Sequence, residues 1–173
     1  MEDGFVPQMQ AWLAAQGADA VVLNAGVSGD TTAGGASRLD WALTPDVDAL
    51  IVNLGGNDML RGIDPGEVRG NLTAIMAGAK ARGLPVLLVG LRAPGNYGEE
   101  YRLAFDTIFP DLAQSFGAGL VPNYFSPLIA VGEGVLQPAL MQADGIHPNR
   151  DGVAAAVAAM GPAVLDLIGR VDG

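Results

Sequence analysis

The sequence predicts one α/β domain built around a central parallel sheet, and three observations support this. The length of 173 residues suits a single domain of ordinary size. Short apolar runs alternate with helical stretches along the chain, which is typical of repeated βα units. The runs are continuously apolar rather than alternating, as expected of parallel strands that are buried on both faces. We therefore expect residues 1–173 to form one domain.

Four strands and five helices are expected. The strands are predicted at residues 20–23, 49–54, 85–91 and 120–121. The helices are predicted at residues 5–16, 33–43, 65–82, 98–116 and 150–168, the fourth of them bent or broken near Pro110. Right-handed crossovers bring the carboxyl ends of parallel strands to one edge of the sheet, where ligands bind. The loops expected at that edge are residues 24–32, 55–62 and 92–98.

The third predicted helix has the clearest boundaries. Asp64 is placed as its N-cap, Pro65 occupies the first helical position, and Glu67 completes a capping box. Gly83 is placed to end this helix, and Asn149 is placed to cap the last one.

The charge and composition exclude several classes of function. A net charge of −10 argues against a nucleic-acid partner and against an anionic membrane surface, since both bind clustered Lys and Arg. The sequence has no cysteine, which excludes disulfides, a thiolate nucleophile and thiolate metal sites. No apolar run is long enough to predict stable membrane insertion. The acidic start at residues 1–4 is unlike a signal peptide. We expect a periplasmic or secreted protein if a signal peptide lies further upstream, and a cytoplasmic protein otherwise.

The only histidine, His147, lies just before the last predicted helix in the run Asp144-Gly-Ile-His-Pro-Asn. An imidazole general base would have to be this residue. Asp144, three residues earlier across a glycine, is placed to hold the far ring nitrogen, which is the orienting role of a triad carboxylate. A surface histidine beside a helix cap, with Asp144 as a turn residue, has the same spacing and is the more common case.

Two loops at predicted strand ends carry residues suited to stabilising an oxyanion. In Gly55-Gly-Asn57-Asp58, the Asn side chain can donate to a developing negative charge, and the glycines allow close backbone approach. The glycines and small hydroxyls of residues 24–32 suit a backbone nest for an anion. Both loops are also typical of ordinary turns. The sequence has neither a Walker lysine nor a Gly-x-Gly-x-x-Gly fingerprint, which disfavours a nucleotide-binding domain.

Taken together, these motifs resemble the conserved blocks of the SGNH (GDSL) hydrolase family. Gly29 matches the glycine of the second block, the run from Gly55 to Asp58 matches the third, and the run from Asp144 to Pro148 matches the fifth. The whole chain is similar to the bacterial thioesterase I/lysophospholipase/arylesterase branch of the family. Further matches are the runs 28–31, 60–62, 94–98 and 142–149.

The resemblance implies a flavodoxin-like three-layer sandwich and a serine ester hydrolase that works through an acyl-enzyme. It implies His147 as the general base and Asp144 as the carboxylate that orients it. The Gly29 amide and the Asn57 side chain would form the oxyanion hole. No cofactor and no metal are implied, and the implied partners are small acyl esters, aryl esters, thioesters or lysophospholipids. The residues expected to line an apolar acyl groove, or else to be simply packed, are Met59, Leu60, Pro94, Tyr97 and Met141.

One block of the family is absent. The first block, Gly-Asp-Ser-Leu, follows the first strand and carries the nucleophile serine, whereas the resemblance here begins at residues 1–5. We therefore expect the chain to be N-terminally incomplete, with the serine and an interior strand upstream of Met1. Among the serines present, Ser28, next to Gly29, ranks first as a substitute nucleophile. The others are Ser37, Ser115 and Ser126.

A second interpretation applies if the chain is complete as given. It would then be a non-catalytic degenerate hydrolase, or an anion-binding α/β module that uses the loop at residues 26–32. Its sheet would need a partner strand to satisfy unpaired backbone N–H and C=O groups. Covalent labelling by a fluorophosphonate distinguishes the two interpretations, while the oligomeric state is left open by the sequence.

Overall fold

The computed structural model describes residues 3–131 and 134–171, which fall into two compact units. Of the described residues, the first unit comprises 3–24, 124–131 and 134–166, and the second comprises 25–123 and 167–171. The expectation that residues 1–173 form one domain stays a prediction.

The second unit contains a parallel sheet of three strands in the order β1-β2-β3. The strands are β1 (Leu50–Val52), β2 (Val86–Val89) and β3 (Gly119–Val121). Leu50 pairs with Val86, and Leu88 of the same middle strand pairs with Leu120. All four residues of β2 are buried, as its continuous apolar run predicts. The predicted α/β class with a central parallel sheet is confirmed.

Six helices flank the strands in the second unit. They are α2 (Thr32–Ser37), α3 (Leu39–Ala42), α4 (Gly56–Leu60), α5 (Pro65–Ala81), α6 (Glu99–Asp106) and α7 (Ile108–Phe116), with a 3-10 turn at Gly95–Tyr97. The start of α5 is confirmed, because Asp64 Oδ1 accepts from the Gly66 N–H at 2.8 Å. The predicted helix at 98–116 divides at Thr107, since the Pro110 ring cannot donate and conflicts with the carbonyl four residues earlier.

Two local predictions in the second unit are wrong. The helix expected at 33–43 is interrupted at Arg38, whose φ of −106° and ψ of 8° leave the helical region. The short helix α4 was expected to be a loop. Its glycine-rich start resembles a turn, and Gly55, with φ of 112°, brings the chain from β1 into the helix.

The strand predicted at residues 20–23, in the first unit, is also wrong. These residues join no strand pair of the described chain, and Val21 and Leu23 are 80% and 55% exposed. The Gln10 side chain bonds to their backbone instead, donating to Ala20 O at 2.9 Å and accepting from Val22 N–H at 2.8 Å. An apolar run forms a strand only where another strand pairs with it. Here the Gln10 side chain satisfies the backbone C=O and N–H groups that would otherwise bond to a neighbouring strand.

The first unit is organised around two helices. They are α1 (Phe5–Ala15) and α8 (Arg150–Gly169), with 3-10 turns at Ser126–Leu128 and Pro138–Leu140; the last three residues of α8 belong to the second unit. The Trp12 ring packs on Gly161, where an added Cβ would lie 2.4 Å from the ring. Asn149 caps α8 as predicted, because its Oδ1 accepts from the backbone N–H groups of Asp151 and Gly152, both at 3.0 Å.

Contrary to the expectation from sequence, α8 is long and apolar enough to cross a membrane by length and composition alone. Its many alanines make it apolar without a run of large side chains. The core helix of a water-soluble protein passes the same test, and Ala156, Met160 and Val164 on this helix are buried.

Candidate active site

Asp144 and His147 form a hydrogen-bonded pair in a tight turn ahead of α8. His147 Nδ1 lies 2.7 Å from Asp144 Oδ2. Asp144 Oδ1 accepts from the backbone N–H groups of Ile146 at 2.9 Å and of His147 at 3.0 Å. Gly145 allows the turn, because its φ of 65° lies in a region that other residues rarely adopt. Both carboxylate oxygens are thus engaged, which fixes the carboxylate relative to the imidazole ring.

The flanking backbone holds this turn in the first unit. Gln142 N–H donates to His147 O at 2.7 Å, and Met141 forms an isolated antiparallel bridge with Pro148. Asn149 Nδ2 donates to Met141 O at 3.2 Å, in addition to capping α8. The bridge between Met141 and Pro148 therefore closes the turn that carries His147, and the start of α8 follows directly after it.

The charges of the pair favour one tautomer of the imidazole. The hydrogen bond from the His147 side chain, reinforced by those from the His147 and Ile146 backbone, lowers the pKa of Asp144 from 3.8 to about 2. The carboxylate is therefore ionised at neutral pH and accepts a hydrogen bond from Nδ1–H. This assignment, made from the hydrogen-bond network, leaves the lone pair of His147 Nε2 available to accept a proton. His147 Nε2 makes no hydrogen bond within the described residues, and the side chain is 67% exposed.

The two predicted oxyanion loops meet in the second unit. Asn57, in the first turn of α4, donates from Nδ2 to Asp30 O at 2.9 Å. That bond uses one of the two amide protons and leaves the other for a ligand. Arg61 Nη2 donates to Gly29 O at 3.0 Å. The segment at residues 55–62 therefore also holds the peptide group that follows Gly29. Within the described ranges, the Gly29 N–H donates to no acceptor.

An ion pair that was not predicted from the sequence stabilises the loop at residues 24–32. Arg38 Nε lies 2.7 Å from Asp30 Oδ2, and the same guanidinium also donates to Ala25 O. The two side chains of the pair are 22% and 14% exposed, so the pair is largely shielded from water. No motif marks Arg38, because its partner carbonyl lies 13 residues away along the chain.

Four of the five predicted substrate-binding residues lie in the second unit. Met59 and Leu60 belong to α4, and Pro94 precedes the 3-10 turn that contains Tyr97. Tyr97 Oη donates to Leu60 O at 3.0 Å, and these two side chains remain 40% and 48% exposed. The fifth residue, Met141 of the first unit, is buried. Leu60, Pro94 and Tyr97 therefore offer accessible apolar surface, while Met141 is packed.

Comparison with known proteins gives concordant matches. The GDSL-like lipase/acylhydrolase family model matches residues 2–155. This chain belongs to that family. It is 43% identical over 146 residues to the esterase TesA of Pseudomonas aeruginosa, covering 84% of this chain and 70% of that protein. It is 42% identical over 131 residues to the thioesterase 1/protease 1/lysophospholipase L1 of Escherichia coli, covering 75% of this chain and 60% of that protein.

The comparison of structures agrees. The crystal structure of TesA matches with a TM-score of 0.84 at 36% identity, covering 96% of this chain and 89% of that one. The match confirms the flavodoxin-like fold class. The family is one of carboxylic ester hydrolases, and this chain spans 60% to 70% of the length of the two curated relatives.

Two of the four serines of this GDSL-like chain, Ser37 and Ser115, are bonded in ways typical of structural residues. Ser37 Oγ donates to Gly34 O at 2.8 Å, and Ser115 Oγ donates to Asp111 O at 2.7 Å, each within its own helix. Such bonds to the preceding turn are common for helical serines. Ser28 lies exposed in the turn before Gly29, and Ser126 begins a 3-10 turn.

A cavity in the second unit lies away from these loops. Its volume is about 300 Å³, and its walls lie at the amino ends of β2 and β3. Arg170 beside it donates to Gly117 O at 3.3 Å, and Lys80 lies 5.9 Å from the centre of the Phe116 ring. Both cations lie at the carboxyl ends of helices, Lys80 in the last turn of α5 and Arg170 beside the end of α7, where positive charge is favourable.

Proposed function

We propose that this chain carries the general base, the orienting carboxylate and the oxyanion donors of a serine ester hydrolase. The observation that carries the proposal is the Asp144–His147 pair, with 2.7 Å between Oδ2 and Nδ1 and with the second carboxylate oxygen held by two backbone N–H groups. The two backbone bonds also occur in an ordinary Asx-turn, whereas the bond between Oδ2 and Nδ1 fixes the imidazole ring so that Nε2 is presented in one orientation.

The proposed reaction passes through an acyl-enzyme. The nucleophile serine, expected upstream of Met1 in the native protein, attacks the acyl carbonyl while His147 Nε2 takes its proton. The Gly29 N–H and the second amide proton of Asn57 stabilise the resulting oxyanion. His147 then gives the proton to the departing alcohol or thiol. Water, deprotonated by the same imidazole, releases the acid and regenerates the serine.

The proposed substrates are acyl esters and thioesters, including aryl esters and lysophospholipids. The relatives named esterase TesA and thioesterase 1/protease 1/lysophospholipase L1 support this class. In this chain, the exposed parts of Leu60 and Tyr97 provide apolar surface. Leu60 lies three residues after Asn57 along the chain. Such a surface favours an acyl chain over a polar acid component.

Labelling by a fluorophosphonate, followed by peptide mapping, tests the proposal in the native protein. We expect one labelled serine upstream of Met1, together with hydrolysis of a p-nitrophenyl ester and of an acyl-CoA. His147→Ala should abolish both reactions while the circular dichroism spectrum is unchanged. A folded native protein that neither reacts with the probe nor hydrolyses any of these esters would instead be a non-catalytic member of the family.

A further inference from the structure

A buried carboxylate joins the starts of two helices of the second unit, α2 and α4, beside the proposed oxyanion donors. Asp58, in the first turn of α4, and Thr32, the first residue of α2, are both 0% exposed. Asp58 Oδ1 accepts from the Thr32 hydroxyl at 2.6 Å, and Oδ2 accepts from the Thr32 backbone N–H at 2.9 Å. Asn71 of α5 donates to the same hydroxyl at 3.1 Å. One side chain of α4 is therefore bonded to both the backbone and the side chain of α2.

Stability alone is a weak reason for this arrangement. Removing a carboxylate from water is unfavourable, and well-packed apolar residues usually join two helices at least as stably. Directional hydrogen bonds instead fix geometry. The two bonds from Thr32 to Asp58 set both the distance and the orientation of Thr32 relative to Asp58. The junction between Asp58 and Thr32 therefore fixes the placement of the groups beside it.

The proposed oxyanion donors lie close to this junction along the chain. Asn57 directly precedes Asp58, and Gly29 lies three residues before Thr32. Asn57 Nδ2 donates to Asp30 O at 2.9 Å, so the two loops touch at a second point beside the junction. Any shift of α2 against α4 would therefore change the separation between the Gly29 N–H and the Asn57 carboxamide.

We propose that Asp58 and Thr32 are positioning residues that set the separation of the two oxyanion donors. This inference rests on the proposed ester hydrolase function. Neither side chain is itself a catalytic residue, because both are buried and bonded to each other. An oxyanion contact strengthens in the transition state, so looser donors lower kcat and leave KM nearly unchanged.

Two variants of Thr32 in the native protein separate positioning from simple packing. Thr32→Val keeps the shape of the side chain but removes the hydroxyl that joins Asp58 to Asn71. We expect kcat for a p-nitrophenyl ester to fall about 10- to 100-fold, because misplacement by about 1 Å can cost about 100-fold in rate. KM should stay within about twofold. Thr32→Ser keeps the hydroxyl and should restore kcat to within about threefold of wild type.

A matched control and a second measurement make the result decisive. Leu112→Ala, in the buried face of α7, should lower the melting temperature without lowering kcat at temperatures well below it. The side-chain amide signals of Asn57, followed by NMR, should be sharp in wild type and Thr32→Ser but broadened or shifted in Thr32→Val.

The inference is overturned if Thr32→Val is destabilised yet retains kcat and unaltered Asn57 amide signals. An inactive wild-type protein would count against the proposed function instead. In that case the NMR comparison alone decides whether the junction between Asp58 and Thr32 positions the carboxamide.

Discussion

The substitution Asp144→Asn provides a sharp test of the proposed base, because the surrounding bonds dictate how an asparagine must sit. Two backbone N–H groups, those of Ile146 and His147, point at Oδ1 at 2.9 and 3.0 Å. The amide oxygen of the asparagine must therefore occupy that position, which turns its NH₂ group toward His147 Nδ1. An NH₂ group donates, so Nδ1 becomes the acceptor and the ring proton moves to Nε2. The atom that should take the proton of the serine is then already protonated.

The expected loss follows from what the imidazole contributes. General base catalysis is worth about 10²- to 10⁴-fold, and the wrong tautomer in a buried triad costs about 10⁴-fold. Asp144 is 43% exposed on its side chain, so water competes for the ring more than in a buried triad. We therefore expect kcat to fall by about 10²- to 10³-fold, which is less than a buried triad would lose. The fold should be unaffected, because the backbone bonds to the turn are kept.

The assay is the steady-state hydrolysis of a p-nitrophenyl ester by the native protein. Asp151→Asn is the matched control, since it removes a carboxylate from the first turn of α8, seven residues from Asp144 along the chain. The control should retain kcat. If Asp144→Asn keeps more than half of the wild-type kcat, the carboxylate does not orient a catalytic imidazole, and the general-base role of His147 loses its main support.

Further predictions address the same machinery. Asn57→Ala should lower kcat about 10²-fold or more with little change in KM, measured on the same ester, because an oxyanion donor is lost. Gly145→Ala should strain a turn with φ of 65° by about 1–2 kcal/mol and lower the melting temperature, measured by calorimetry. Tyr97→Phe removes the bond to Leu60 O at 3.0 Å and should raise KM for long-chain esters more than it changes kcat. The lowered pKa of Asp144, about 2, means that its ionised form persists as the pH falls from neutrality. The stability that ionised Asp144 contributes is fully present above its unfolded-state pKa of 3.8 and is lost as the pH falls through its folded-state pKa of about 2. The profile of kcat/KM against pH should therefore show no inflection from Asp144 above about pH 4.

The sequence predicted the elements whose determinants are local. The Asp144–His147 turn depends on six consecutive residues, a glycine and a helix cap, and all of these are visible in the sequence. The start of α5 is equally local, since Asp64 bonds within its own first turn. The continuous apolar run of β2 also predicted its burial on both faces.

The sequence failed where the outcome depends on distant partners. Residues 20–23 have the composition of a strand, but Gln10, ten residues earlier, bonds to the Ala20 carbonyl. Arg38 was not singled out, because its bonds to Asp30 and Ala25 follow from how the loop folds and not from any spacing pattern. Likewise, Asp58 is part of a recognisable motif, but nothing in that motif indicates that Thr32, 26 residues away, will bury it.

This contrast bears on how the proposed site is held together. The base and its carboxylate are organised within one turn, so they need little from the rest of the chain beyond an anchor. The proposed oxyanion donors, Gly29 and Asn57, come from two segments separated by more than twenty residues, and only tertiary contacts can fix the distance between them. Such a site needs a rigid connection between the segments that carry Gly29 and Asn57. Asp58, which is fully buried and bonded twice to Thr32, provides a connection of this kind. Substitutions should therefore be tolerated at exposed loop positions such as Ser28, but not at Asp58 and, apart from Thr32→Ser, not at Thr32, as a saturation-mutagenesis screen for esterase activity would measure.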